Sequence, residues 1–171
     1  MTGLPSRFAD WFTSKGWSPR PHQLEMMERG LNGESALLIS PTGGGKTLAG
    51  FLASLVELSE PHETQGIHTL YVSPLKALAV DIARNLDDPV VQMKLPVTVE
   101  TRTGDTSYAK RQRQRQKPPD ILITTPEQMT LLIADPAAAH LLRNLKCVVT
   151  YCTRIIFARR ILKYIRILLQ Q

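Results

Sequence analysis

No aspartate or glutamate follows Asp135 in this chain of 171 residues, and no glycine follows Gly104. Cysteine is scarce as well. Cys147 and Cys152 are too few for a disulfide framework and lack the neighbouring ligands of a zinc site, so both are expected to be structural. There is no apolar run long enough to cross a bilayer. The start, MTGLPSRFADWF, has an acid and early aromatics where a secretory signal would place basic residues and then an apolar core. These absences lead to the expectation of a cytoplasmic protein with no membrane partner, of a length suited to one ordinary domain. The net charge of +6 would suggest a nucleic-acid binder if it were evenly spread. It is not. Residues 1–150 hold 16 basic and 15 acidic residues, whereas residues 151–171 hold five basic residues and no acid.

What is present is an alternation. Short apolar, β-branched runs recur at ALLIS (36–40), TLYVS (69–73), VTVET (97–101), ILITT (121–125) and CVVT (147–150). All but the last lead into a turn or capping group and a helical segment, which predicts an α/β fold with a parallel sheet flanked by helices. Ligands should then gather at the carboxyl ends of the strands. A preamble over 1–34 is expected to hold helices at about 5–14 and 21–31, separated by KGWSPRP, where Gly16, Pro19 and Pro21 interrupt the helical period.

The stretch SPTGGGKT (40–47) carries the clearest chemistry. Three consecutive glycines, Gly43, Gly44 and Gly45, let backbone N–H groups turn inward around phosphate oxygens, where a Cβ would obstruct them. Lys46 supplies charge to the terminal phosphates, Thr47 a hydroxyl for Mg²⁺, and the helix that starts there its positive end. Thr42 completes the turn. Ser40 stands where the usual pattern has its first glycine, so the loop is a variant.

Three later segments, SPLKALAVD (73–81), TRTGDT (101–106) and TTPEQM (124–129), each follow a strand-like run. With the phosphate loop and PRPHQ (19–23) they resemble the superfamily 2 nucleic-acid helicases, most closely the Lhr-type DEXH-box branch that includes the ligase-associated bacterial proteins. The resemblance spans about Leu4 to Thr150 and implies the first of two RecA-like motor domains, using ATP and Mg²⁺ on single-stranded nucleic acid. By position it implies that Gln23 reads the adenine edge, with Trp17 or Phe8 available to stack on the base. It also implies three strand-contacting groups: Pro74, Leu75 and Lys76; Thr103, Gly104 and Asp105; Thr124, Thr125, Pro126 and Glu127. Ser73, Thr103 and Thr125 read equally well as ordinary helix caps. AKRQRQRQK (109–117) reads as a solvated helix face, because alternating Arg and Gln spreads charge around a helix; a nonspecific backbone contact is the other reading.

The resemblance fails at one place. Its members continue the strand corresponding to CVVT into D-E-x-H, whose carboxylates hold the metal and position the attacking water. The corresponding residues here are Tyr151, Cys152, Thr153 and Arg154. This predicts a chain that binds ATP weakly and hydrolyses none. Residues 151–171 read as a tail from an unintended reading frame on a truncated domain. The rival is an interaction tail, since Ile155, Ala158, Leu162, Ile165 and Leu169 would share one stripe of a helix. The expected organisation is therefore a preamble (1–34), a partial RecA-like domain (35–150) and an aberrant tail (151–171). A noncatalytic module that docks on nucleic acid, on a partner helicase or on repair proteins is the competing function; a small P-loop kinase is disfavoured by PRPHQ and the ordered strand-end motifs.

Overall fold

The structure, a computed structural model, describes residues 3–61 and 66–150. Its contacts divide the chain into two compact units, one of residues up to 62 together with 84–97, the other of 63–83 together with the residues from 98 onward. The expected boundary at 34 and 35 is not where the contacts divide. Among the described residues, no helix is long and apolar enough to cross a membrane.

The first unit is helical. Helix α1 (Ser6–Ser14) and helix α2 (Pro21–Leu31) fall where the sequence places them, and α3 (Lys46–Glu57) begins at the phosphate-loop lysine. Pro21 opens α2 at a position where a missing N–H costs nothing, and Gln23 at the third helical position accepts a hydrogen bond from Arg20 N at 2.9 Å, half of a capping box. Helix α2 packs on α3 at close range: a Cβ on Gly30 would lie 2.7 Å from that of Ala53. Phe8, Trp11 and Phe12 bury the inner face of α1, and Trp11 Nε1 donates to Gln92 Oε1 at 2.8 Å, which brings the end of α4 (Lys76–Gln92) into this unit. Phe8 is fully buried, so it cannot stack on a nucleotide base; of the two aromatics expected there, only Trp17 is exposed.

One expected strand does not form. Residues 36–40, ALLIS, join no sheet, and Leu37 and Ile39 are 65% and 87% exposed. An apolar β-branched run becomes a strand only when a neighbour completes its hydrogen-bond ladder, and this segment has none.

The second unit is built on a parallel sheet in the order β2-β3-β1-β4, comprising β1 (Thr69–Val72), β2 (Val99–Arg102), β3 (Ile121–Thr124) and β4 (Cys147–Thr150). Strand β2 starts two residues later than VTVET suggests. Thr98 is diverted to Asp120: its N–H and hydroxyl donate to the buried Asp120 carboxylate at 2.8 and 2.7 Å. The crossovers carry α4, α5 (Tyr108–Gln116), α6 (Pro126–Ile133) and the short α7 (Ala138–Leu142). Ile67, Leu70, Val72, Leu122, Met129 and Leu132 form the centre of the core, joined by Leu141 and Leu142. Burial of both faces explains why β1 and β3 are continuously apolar rather than alternating. Cys147 forms no disulfide among the described residues; Cys152 lies outside them.

Candidate functional site

In the first unit the glycine loop has a defined shape. Gly43 and Gly45 have φ of 78° and 72°, left-handed values that favour glycine at both positions. A Cβ on Gly44 would collide with Ser40 Oγ and lie 2.9 Å from Pro41 O. The middle glycine is therefore required by close approach of the loop to itself, and the unusual Ser40 is part of that approach. Lys46 Nζ donates to the carbonyls of Ser40 and Pro41, both at 2.8 Å, so the cation sits across the mouth of its own loop. Carbonyl oxygens are weaker partners for an ammonium than a phosphate is, and these contacts can be exchanged for a phosphate group.

Helix α2 holds the loop from the side. Gln23 is 4% exposed, and its Nε2 donates to Gly45 O at 3.3 Å, while His22 Nε2 donates to Gly44 O at 2.8 Å. A solvated role for Gln23 is thereby excluded. Its amide links the start of α2 to the phosphate loop. The contribution of His22 is not marked by any motif. Its place beside Gln23 is the one sequence signal that points to it.

In the second unit the three strand-end groups share one edge. Register aligns Val72 with Thr124 and Thr150, and Thr124 with Arg102, so β1, β2, β3 and β4 all end level. The segments that follow, at 73–76, 103–105 and 125–127, therefore leave from the same carboxyl edge. Lys76 forms an ion pair with Asp105, joining the first and second groups. Pro74, Leu75, Gly104 and Glu127 are exposed, and Pro126 opens α6 at its first position.

The hydroxyl-bearing residues at these strand ends, Ser73, Thr103, Thr124 and Thr125, are all buried. Thr124 is buried, and its Oγ1 donates to Arg102 O at 2.8 Å, tying β3 to the end of β2. Thr125 occupies the cap position of α6 without a side-chain cap bond. Ser73 Oγ is engaged with Leu75 in a local turn, and Thr103 N donates to Thr106 Oγ1 at 2.8 Å. It is Ser107, not Thr103, that caps α5, accepting from Lys110 N.

Helix α5, read from sequence as a solvated face, is pinned instead. Gln114 is buried and donates to Glu100 Oε2 at 2.7 Å, Arg113 pairs with Glu100 at 2.6 Å, and Arg115 pairs with Asp135. Arg111 Nη2 donates to Gly104 O at 3.0 Å, so this helix shapes the second strand-end loop. Alternating Arg and Gln gives no hydrophobic period. What it conceals is a buried polar face.

A nucleotide's phosphates fit the first unit, because the loop turns on two left-handed glycines, has no room for a Cβ at Gly44 and has its lysine in place. For Mg²⁺ the fit is incomplete: Thr47 offers a hydroxyl, and among the described residues no three acidic, histidine or cysteine side chains converge. Residues 151–154, where the resemblance puts the carboxylates, lie outside the described residues.

Residues 20–150 match the DEAD/DEAH box helicase family. The Lhr helicase/probable uracil glycosylase of Mycolicibacterium smegmatis is 41% identical over 152 residues, covering 82% of this chain and 10% of that protein. An ATP-dependent helicase Lhr-Core of Methanocaldococcus jannaschii is 38% identical over 154 residues, covering 82% of this chain and 18% of that protein. The chain thus spans less than a fifth of the length of these relatives. Among solved structures, Mycobacterium smegmatis Lhr bound to ssDNA and AMP-PNP superposes with a TM-score of 0.79 at 38% identity, over 86% of this chain and 20% of that one. The helicase MrfA bound to DNA and AMPPNP gives 0.75 at 29% identity, over 88% of this chain and 21% of that one. The fold is RecA-like, and with the glycine loop and the level strand ends in place, the chain belongs to the DEAD/DEAH box helicase family as an ATP-binding domain of Lhr type.

Proposed function

We propose that this chain binds ATP or ADP through Thr42, Gly43, Gly44, Gly45, Lys46 and Thr47, with Gln23 at the adenine, and does not hydrolyse it. The observation that carries the reading is the shape of the loop: two left-handed glycines, a third excluded from any other residue by Ser40 and Pro41, and Lys46 resting on carbonyls it can exchange for phosphate. Phosphoryl transfer depends on positioning and on neutralising charge through a metal held by carboxylates. At 151–154 the chain offers a phenol, a thiol, a hydroxyl and a guanidinium, the last of the wrong sign beside a metal.

Single-stranded nucleic acid is the proposed second ligand, lying along 74–76, 103–105 and 124–127. Backbone amides at helix starts take phosphate oxygens without reading sequence, residues 74–76, 104–105 and 127 are exposed, and the related Lhr structure holds ssDNA. In this reading, residues 1–34 serve as the base-reading preamble, 35–150 as the RecA-like body and 151–171 as a tail outside the motor.

Nucleotide titration of the full chain against Lys46→Ala tests the first part; binding should be lost in the variant, and equal affinities would rule out the loop. Phosphate release should not exceed that of Lys46→Ala. Measurable turnover above that control would overturn the claim of an idle site. If the chain instead serves as a noncatalytic docking module, its nucleic-acid binding should weaken when residues 151–171 are removed.

A further inference from the structure

One carbonyl of the phosphate loop is held by a single side chain. Gly45 O already belongs to the ladder of α3, accepting from Ala49 N at 3.1 Å, and Gln23 adds a second bond to it. Gly44 O is different. Its one partner among the described residues is His22 Nε2, at 2.8 Å. A carbonyl can only accept, so Nε2 carries the hydrogen, either in the neutral ring or in the imidazolium.

That bond sets more than the carbonyl. A peptide unit is planar and trans, so its C=O and N–H point in opposite directions. Drawing Gly44 O towards His22 on α2 therefore turns Gly45 N–H away from that side chain, and the ladder bond at Gly45 O leaves Lys46 N–H facing out of the start of α3. Neither N–H has an acceptor among the described residues. Both are orphan donors of a helix start, the groups that meet phosphate oxygens. Three successive glycines leave the backbone unusually free to rotate, so one amide orientation needs a grip from outside the loop. His22 is that grip on the Gly44–Gly45 peptide.

The other ring nitrogen is spare. Nδ1 has no partner among the described residues, and His22 is only half-buried. Of the charges around it, Glu25 lies a turn along α2 and is paired with Arg29 at 3.0 Å, while Arg20 precedes the helix. Lys46 rests on the Ser40 and Pro41 carbonyls, and Glu57, the other charged residue of α3, stands at its far end. His22 itself enters no ion pair among the described residues. With no carboxylate paired to it, the anion placed to favour its charged form is one bound in the loop.

We propose that His22 is a positioning residue for nucleotide binding: Nε2 fixes the Gly44–Gly45 peptide so that the Gly45 amide meets a phosphate, and Nδ1 takes up a proton from solvent when phosphates occupy the loop. This rests on the reading of the loop as a nucleotide site, and deepens it by making affinity depend on pH. The imidazolium strengthens its own bond to Gly44 O, because a charged donor holds an acceptor more tightly than a neutral one, and it adds positive charge beside the phosphates. Binding should therefore tighten as pH falls.

The test titrates ADP calorimetrically into the full chain at about pH 8 and about pH 5.5, the range over which imidazole changes charge, with thermal unfolding of each variant at both. His22→Ala leaves Gly44 O without its donor and should weaken binding about fivefold at the higher pH, the worth of one hydrogen bond, at an unchanged melting temperature. His22→Gln places an amide nitrogen about as far along the side chain as Nε2 but takes up no proton, and should restore most of that loss. From the higher to the lower pH, wild type should tighten about fivefold relative to His22→Gln, the scale of one charge acting in a partly exposed site; the comparison cancels protonation of ADP itself. Parallel pH profiles for wild type and His22→Gln would overturn the proposal while leaving the loop a nucleotide site. Equal losses of affinity in both variants, with lowered melting temperatures, would make His22 a structural part of α2 and overturn it as well. If wild type binds ADP no better than Lys46→Ala, the reading of the loop fails, and this inference with it.

Discussion

The two units hold their loops in different ways. In the sheet unit, the segments 73–76, 103–105 and 125–127 leave from strands whose ends are aligned by ladder register, with Ile123 and Leu122 buried beneath them. In the helical unit, the glycine loop follows a segment that joins no sheet, and side chains from α2 hold it by its carbonyls. Ladder bonds and core burial are distributed over many residues, whereas the loop depends on a few polar contacts. Single substitutions in the helical unit should therefore change binding more than folding. In the sheet unit the order should be reversed.

The largest effect is expected in the sheet core. Leu122→Ala should cost about 2–5 kcal/mol, the usual range for a buried leucine, and lower the melting temperature accordingly. Ile39→Ala, in an equally apolar run, should stay within about 0.5 kcal/mol because its side chain is already in water. Chemical denaturation of the two variants measures both. Were Ile39→Ala to cost as much as Leu122→Ala, residues 36–40 would be a buried strand in solution and the contrast between the units would collapse.

Gly44→Ala comes next. Its Cβ has no room beside Ser40 and Pro41, so the loop must open, and nucleotide affinity should fall at least tenfold, about 1.4 kcal/mol, with little change in melting temperature. Calorimetric titration with ADP reads the first and thermal unfolding the second. Gln23 dissects the same loop more finely. Gln23→Ala removes a donor to Gly45 O and an acceptor for Arg20 N, each worth about 0.5–1.5 kcal/mol. Gln23→Glu keeps the acceptor and removes the donor. If the loop contact matters more than the cap, both variants should weaken ADP binding alike, and only Gln23→Ala should loosen the start of α2.

The same contrast explains which parts could be read from the sequence. Helices α1 and α2 were legible because Pro21 and the apolar spacing of Phe8, Trp11 and Phe12 act locally. Strands β1 and β3 were legible because burial on both faces writes itself as an unbroken apolar run, and β4, half-buried at the end of the described sheet, carries a similar run. ALLIS carries the same pattern as these strands, yet strand formation is decided by a partner elsewhere in the chain, which no local pattern records. The start of β2 was misplaced for a related reason: Asp120, 22 residues away, captures Thr98. The glycines and Lys46 were visible as a motif. The grip of His22 on Gly44, the burial of Thr124 and the buried polar face of α5 were not, because each depends on where one side chain finds its partner in space.

The smallest effect concerns Lys76 and Asp105, the one ion pair that joins two of the strand-end groups among the described residues. Their side chains are 52% and 69% exposed, so water and salt screen the attraction. A double-mutant cycle on stability with Lys76→Ala and Asp105→Ala should give a coupling of about 0.2–1 kcal/mol that shrinks as salt is raised. Since the loops are already aligned by their strands, neither substitution should disturb their placement. The consequence appears instead on binding: Asp105 competes with a phosphate for Lys76, so Asp105→Ala should tighten oligo-dT binding while Lys76→Ala weakens it. If both variants weaken binding equally, the pair serves as a joint that shapes the edge, and the loops of the sheet unit rely on side-chain contacts as much as the glycine loop does.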